Sequence, residues 1–115
     1  MIATQASMTP GFVVLYRWRL HPGSEDSFVQ AWSRVSDLLR STRGSLGSRL
    51  HRGSDGLWYS YAQWPSAKAR DDAFALGSVD PEAGMQMELA TAERLPEIVL
   101  GTVADYMLPA VGSGD

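Results

Sequence analysis

Few side chains in this 115-residue chain could take part in chemistry, and they are unevenly placed. Tyr16 and Ser60 carry hydroxyls able to hydrogen-bond a small molecule's oxygen, and a tyrosine can also act as an acid or base. His51 carries an imidazole that could serve as a base, whereas His21, beside Pro22, reads as a turn residue. Asp71 and Asp72 are neighbours on a predicted helix, about 100° apart, so they read as a solvated face and not as a carboxylate dyad. With no cysteine there is no disulfide, thiolate metal site or cysteine nucleophile. The two histidines lack metal-ligand spacing, Gly44-Ser-Leu-Gly-Ser48 is not followed by Lys-Ser/Thr, and no Gly-x-Ser-x-Gly is present. No metal site is expected. What remains is hydroxyl chemistry among aromatic rings.

The elements that must position these groups can be read from punctuation and period. Gly53-Ser-Asp-Gly56 separates two strand-forming runs between Leu46 and Trp64, and Asp-Gly tolerates the positive φ of a tight reversal, so this stretch reads as a β-hairpin. On its second arm Trp58, Ser60, Ala62 and Trp64 share one face, and Leu57, Tyr59, Tyr61 and Gln63 the other. An earlier strand, Phe12–Leu20, alternates likewise, with Phe12, Val14, Tyr16, Trp18 and Leu20 opposite Val13, Leu15, Arg17 and Arg19. Ser24 is a candidate N-cap, ahead of Glu25 and Asp26, for a helix that Gly44 stops. Its apolar stripe is Phe28, Trp32, Val35 and Leu39, with Ala31 and Leu38 beside it. Ser66 caps a short helix, Ala67–Leu76, with Ala69, Ala73 and Leu76 inward. Asp80 and Pro81 open a third helix with a stripe of Met85, Leu89 and Ala92. A last strand is expected at Ile98–Leu108, with Pro96 at its start.

The order β-α-β-β-α-(α)-β predicts an α+β, ferredoxin-like antiparallel sheet with its helices on one face. Trp58, Ser60, Ala62 and Trp64 then meet Tyr16, Trp18, Phe28 and Trp32 under the helices, an aromatic cavity with a few polar tips suited to a small aromatic ligand. The opposite face would be sticky with Val13, Leu15, Leu57, Tyr59 and Tyr61, which calls for a homodimer joined through sheet faces. His51 falls on that side, away from Trp64.

A net charge of −3 with scattered arginines argues against a nucleic-acid partner. No apolar run approaches a membrane span, and the N-terminal residues do not read as a signal peptide, so a cytoplasmic protein is the expectation. Residues 1–10 read as a flexible arm, 11–108 as one domain, and 109–115 as a Gly/Ser-containing flexible tail.

Four segments, Leu-Tyr-Arg-Trp-Arg-Leu-His-Pro-Gly (15–23), Phe-Val-Gln-Ala-Trp (28–32), Leu-Gly-Ser-Arg-Leu-His-Arg (46–52) and Tyr-Ala-Gln-Trp-Pro-Ser (61–66), resemble the antibiotic biosynthesis monooxygenase family of dimeric α/β barrels. The resemblance implies oxygenation of phenolic, polyketide-like substrates to quinones with neither flavin nor metal. It places Trp64 at the pocket-lining tryptophan that ends the third strand. Ser60 and Tyr16 stand where the family carries asparagines, on the third and first strands. A haem-degrading branch uses a histidine on a later helix, and Asp80–Leu95 has none, so haem degradation is not expected. Trp64, Tyr16 and Ser60 are thus the candidate catalytic residues, and Trp18, Phe28, Trp32, Trp58 and Ala62 the candidate substrate contacts. The alternative is a non-catalytic small-ligand-binding protein on the same dimeric fold, which the replaced asparagines favour.

Overall fold

The computed structural model describes residues 11–108; the expected arm at 1–10 and the tail at 109–115 lie outside them. Seven elements follow in order: β1 (Phe12–Leu20), α1 (Glu25–Thr42), β2 (Gly47–Arg52), β3 (Trp58–Trp64), α2 (Ala67–Ala75), α3 (Pro81–Ala90) and β4 (Thr91–Leu100). The strands form one antiparallel sheet in the order β2-β3-β1-β4, the ferredoxin-like arrangement expected from the element order. The alternation read from β1 and β3 is the one observed. Tyr16 pairs with Ser60, Val14 with Ala62 and Trp18 with Trp58, so these residues share the helix-facing side.

Local chemistry sets the boundaries. The hairpin closes with Gly53 N–H donating to Leu57 C=O (2.7 Å) and Gly56 N–H to Gly53 C=O (3.0 Å). Gly56 alone takes positive φ there (85°), while Asp55 instead accepts from the Leu57 N–H and the Tyr59 hydroxyl. Ser66 and Asp80 cap α2 and α3 as expected, accepting from Ala69 N–H and Ala83 N–H, both at 3.0 Å. Ser24 does not cap α1 with its side chain. The Glu25 carboxylate takes the Gly23 N–H instead, and acids in the first turn complement the helix dipole. Arg43 joins the helix ends, donating to the C=O of Ala73 (2.7 Å) in the last turn of α2 and to that of Gly77 (2.9 Å) just beyond it.

Three expectations are corrected. The inner face of α3 is Ala83 and Ala90 with Met87 and Gln86, not Met85, Leu89 and Ala92; Leu89 is 73 % exposed. Small residues let α3 lie close on α1, where Ala31 is also buried, and the pair is pinned by Gln86 to Ser27 and Arg34 to Asp80 (2.8 Å). Leu76 likewise is 71 % exposed, leaving Ala73 as the buried residue of α2. The last strand is Thr91–Leu100, not Ile98–Leu108. Helix α3 runs into it without a loop, Ala90 being helical and Thr91 already extended. Pro96 is therefore interior to an edge strand, at a bulge where Leu95 pairs with Arg17 and Ile98 with Leu15, which leaves Pro96 and Glu97 opposite Tyr16 alone. Arg17 holds this bulge by donating Nε and Nη2 to Pro96 C=O (3.1 and 2.9 Å).

The outer face is drier at its ends than expected. Val13, between its pairing partners Gln63 and Leu100, and Leu57, in the hairpin loop, are already buried. Leu15, Tyr59 and Tyr61 are half-buried, and Ile98 and Leu100 of β4 are exposed beside them.

Candidate active site

Beneath the helices the core divides in two. One cluster packs Trp18, Leu20, Phe28 and Ala90 against Trp32, Leu50, Trp58 and Met87. Phe28 is wholly buried, and it meets Trp18 (5.0 Å between centroids) and Trp58 (6.4 Å) edge-on. The other packs Val14, Ala62, Trp64 and Ala73 against Phe12 and Leu39. Tyr16 touches both and stacks on Trp18 at 6.3 Å.

All eight residues singled out from the sequence lie on this side of the sheet, but they do not enclose one aromatic cavity. Trp18, Phe28, Ala62 and Trp64 are packed core. Ser60 is buried, and its Oγ accepts from the Trp32 Nε1–H at 3.1 Å. Tyr16 instead lines an open hollow of about 390 Å³ at the β1–β4 edge, together with Arg17, Arg94, Leu95, Pro96 and Glu97. Trp32 lines a smaller one of about 210 Å³ between α1 and the start of β2.

The sequence reading missed Arg70. On α2, this residue lies between the rings of Phe12 and Phe74 (5.4 and 5.5 Å to their centroids), and its side chain is only 13 % exposed. From there Nη1 donates to Tyr16 Oη (3.2 Å) and to Glu97 (3.2 Å), Nη2 pairs with Glu97 (3.1 Å), and Nε reaches Asp71 (2.9 Å). Its signal was its place one residue after Ala69 and three before Ala73, on the inward side of α2; the charged run around it masked that.

The electrostatics follow from this arrangement. Burial lifts the Tyr16 pKa above the ordinary phenol value, while the hydrogen bond and charge of Arg70 pull it down, Glu97 adds to the rise and Arg94 opposes it. Burial also works against the Arg70 charge, but its bonds to Glu97, Tyr16 and Asp71 outweigh that and hold the guanidinium protonated. Tyr16 is therefore a neutral phenol at physiological pH. Its oxygen accepts from Arg70, which leaves the hydroxyl proton for another acceptor. Close by, Trp64 Nε1 is the one side-chain polar atom among the described residues that is buried without a hydrogen-bond partner.

The family profile for antibiotic biosynthesis monooxygenase matches residues 11–76, a span that includes Tyr16, Ser60, Trp64 and Arg70 and stops short of Arg94 and Glu97. No curated protein matches the chain in sequence. Among solved structures it is similar to a monooxygenase from the gene ActVA-Orf6 of Streptomyces coelicolor in complex with the ligand Nanaomycin D. There the identity is 23%, with 88% of this chain and 94% of that chain covered and a TM-score of 0.65. It is also similar to SnoaB, a cofactor-independent oxygenase from Streptomyces nogalater (15%; 89% and 100%; 0.65), and to a Bordetella bronchiseptica protein described as an antibiotic biosynthesis monooxygenase (17%; 84% and 100%; 0.71). At these identities the likeness is one of fold.

Proposed function

The chain belongs to the antibiotic biosynthesis monooxygenase family, and from that premise we propose that it oxygenates a small aromatic or polyketide-like substrate without a bound cofactor. The observation that carries this reading is the Tyr16 hydroxyl. It stands at the wall of the 390 Å³ hollow, fixed through its oxygen by Arg70, with its proton free for a substrate oxygen. In such a reaction a phenol or enol substrate ionises, and the electron-rich anion passes electrons to O₂. A ring CH₂ becomes C=O, one atom of O₂ stays on carbon, and the other leaves as water with the two hydrogens. Four electrons leave carbon and four reach oxygen.

In this reading Tyr16 donates to the oxyanion that develops on the substrate and Arg70 positions Tyr16, while Trp64 packs in the core cluster behind Tyr16. The test is oxygen uptake with a panel of anthrones and hydroquinones. Tyr16→Phe is expected to slow turnover roughly 10²–10⁴-fold. Uptake by wild type no faster than by this variant refutes the reading for that panel.

A second reading, small-ligand binding without turnover, is favoured by one contact: the Ser60 hydroxyl and the Trp32 indole N–H are engaged with each other. Ligand binding without oxygen uptake would establish it. Both readings include a homodimer through the outer sheet face, supported by Leu15, Tyr61, Ile98 and Leu100 there. Sedimentation is expected to give a dimer that Leu15→Lys dissociates.

A further inference from the structure

The hollow beside Tyr16 has a charge pattern that its neutral role as an aromatic site does not explain. Two of its six lining residues are arginines and one is Glu97. Glu97 is already committed to Arg70, at 3.1 and 3.2 Å. Arg17 is committed to the Pro96 carbonyl. Arg94 is exposed and makes no side-chain hydrogen bond or ion pair among the described residues. Its pairing with Trp18 turns it to the helix side of β4, the side of Tyr16, and its charge is close enough to act on the Tyr16 phenol. One cation without a counterion and one hydroxyl proton without an acceptor therefore meet at a single hollow of about 390 Å³, in a chain whose net charge is −3. A hollow of a few hundred Å³ suits a ligand of two or three fused rings.

We propose that this site takes an aromatic hydroxy acid, its carboxylate on the Arg94 guanidinium and its phenolic oxygen on the Tyr16 hydroxyl. The inference rests on the reading of Tyr16 as a substrate-facing donor. Leu95 and Pro96 are the apolar members of the lining. A guanidinium matches a carboxylate with two parallel N–H donors, so the acid gains affinity that the corresponding neutral phenol cannot.

The test compares an ortho-hydroxynaphthoate with the naphthol lacking its carboxylate, binding being followed by calorimetry under nitrogen at low salt. Wild type is expected to bind the acid at least about tenfold more tightly than the naphthol, about 1.4 kcal/mol. Arg94→Gln is expected to bring the two to near parity with little change for the naphthol, and Arg94→Lys to keep part of the preference. Because Arg94 is exposed, both variants should fold, and circular dichroism checks that they do. Equal affinities in wild type, a preference that survives Arg94→Gln, or no saturable binding of the acid would each overturn the proposal. The two readings fall separately. Binding is read without oxygen, and oxygen uptake on neutral anthrones is read without a carboxylate.

Discussion

The two ends of the helix-covered core share β1 and α1 but are finished differently. Around Phe28 the layer is closed by large rings edge to face, with Ala90 admitting α3 closely. Around Trp64 it is closed by a nine-residue helix whose one buried residue is Ala73, by Phe74 edge-on at 5.8 Å though itself 45 % exposed, and by a guanidinium between two rings. The first end has its polar groups paired off, as in the Trp32–Ser60 bond, and the second leaves a buried indole N–H unpaired. Packing density supplies stability at one end, and at the other one buried donor is left unsatisfied.

That contrast can be broken in steps. The largest stability effect is expected at the closed end, where Phe28→Ala should lower unfolding free energy by about 3–5 kcal/mol in urea titration, because a fully buried ring leaves a cavity the neighbouring rings cannot fill. At the other end Trp64→Phe should lose less than about 1.5 kcal/mol, since the lost ring volume is partly offset by removal of a buried donor that has no partner. A Trp64 loss as large as that of Phe28 would erase the distinction.

Arg70→Met sharpens it further. Burial raises the Tyr16 pKa and Arg70 opposes the rise, so the variant should ionise Tyr16 at higher pH than wild type in an alkaline absorbance titration, with Arg70→Lys between them. The sign for stability follows. The folded phenol keeps its proton above the unfolded value, so its contribution is complete below that pH and falls as pH rises through the folded pKa. Turnover that needs the neutral phenol should decline over the same alkaline range. The smallest effect is expected from Ser66→Ala, which removes the α2 cap and should lose about 1 kcal/mol, with KM rising more than kcat falls as Arg70 loosens.

Much of the architecture was legible because the chain punctuates itself. Ser66, Asp80-Pro81, Gly44 and the Gly53–Gly56 turn mark where elements start or stop, and strict alternation in β1 and β3 assigned their faces. The last strand was misplaced because nothing breaks the chain between α3 and β4, while the Val- and Leu-bearing residues beyond Gly101 have the more strand-like composition; Val103 is 97 % exposed and outside any element. That error hid four of the six residues that line the hollow. Arg94 and Glu97 gain a position relative to Tyr16 only once β4 is paired with β1 through its bulge. Tyr16 was legible from its strand face. Arg70 was not, since a charged residue between Lys68 and Asp71-Asp72 reads as solvated until the third dimension puts Phe12 and Phe74 on either side of it.

The seamless passage from Ala90 to Thr91 carries an evolutionary corollary. In a strand, neighbouring side chains point oppositely, so the residue at which the preceding coil unwinds decides the parity of everything after it. A single inserted or deleted codon at that joint would swap which side Glu93 and Arg94 present, exchanging a carboxylate for a guanidinium. Relatives that differ there by one residue would differ in the charge their ligand meets, with no substitution in the hollow itself.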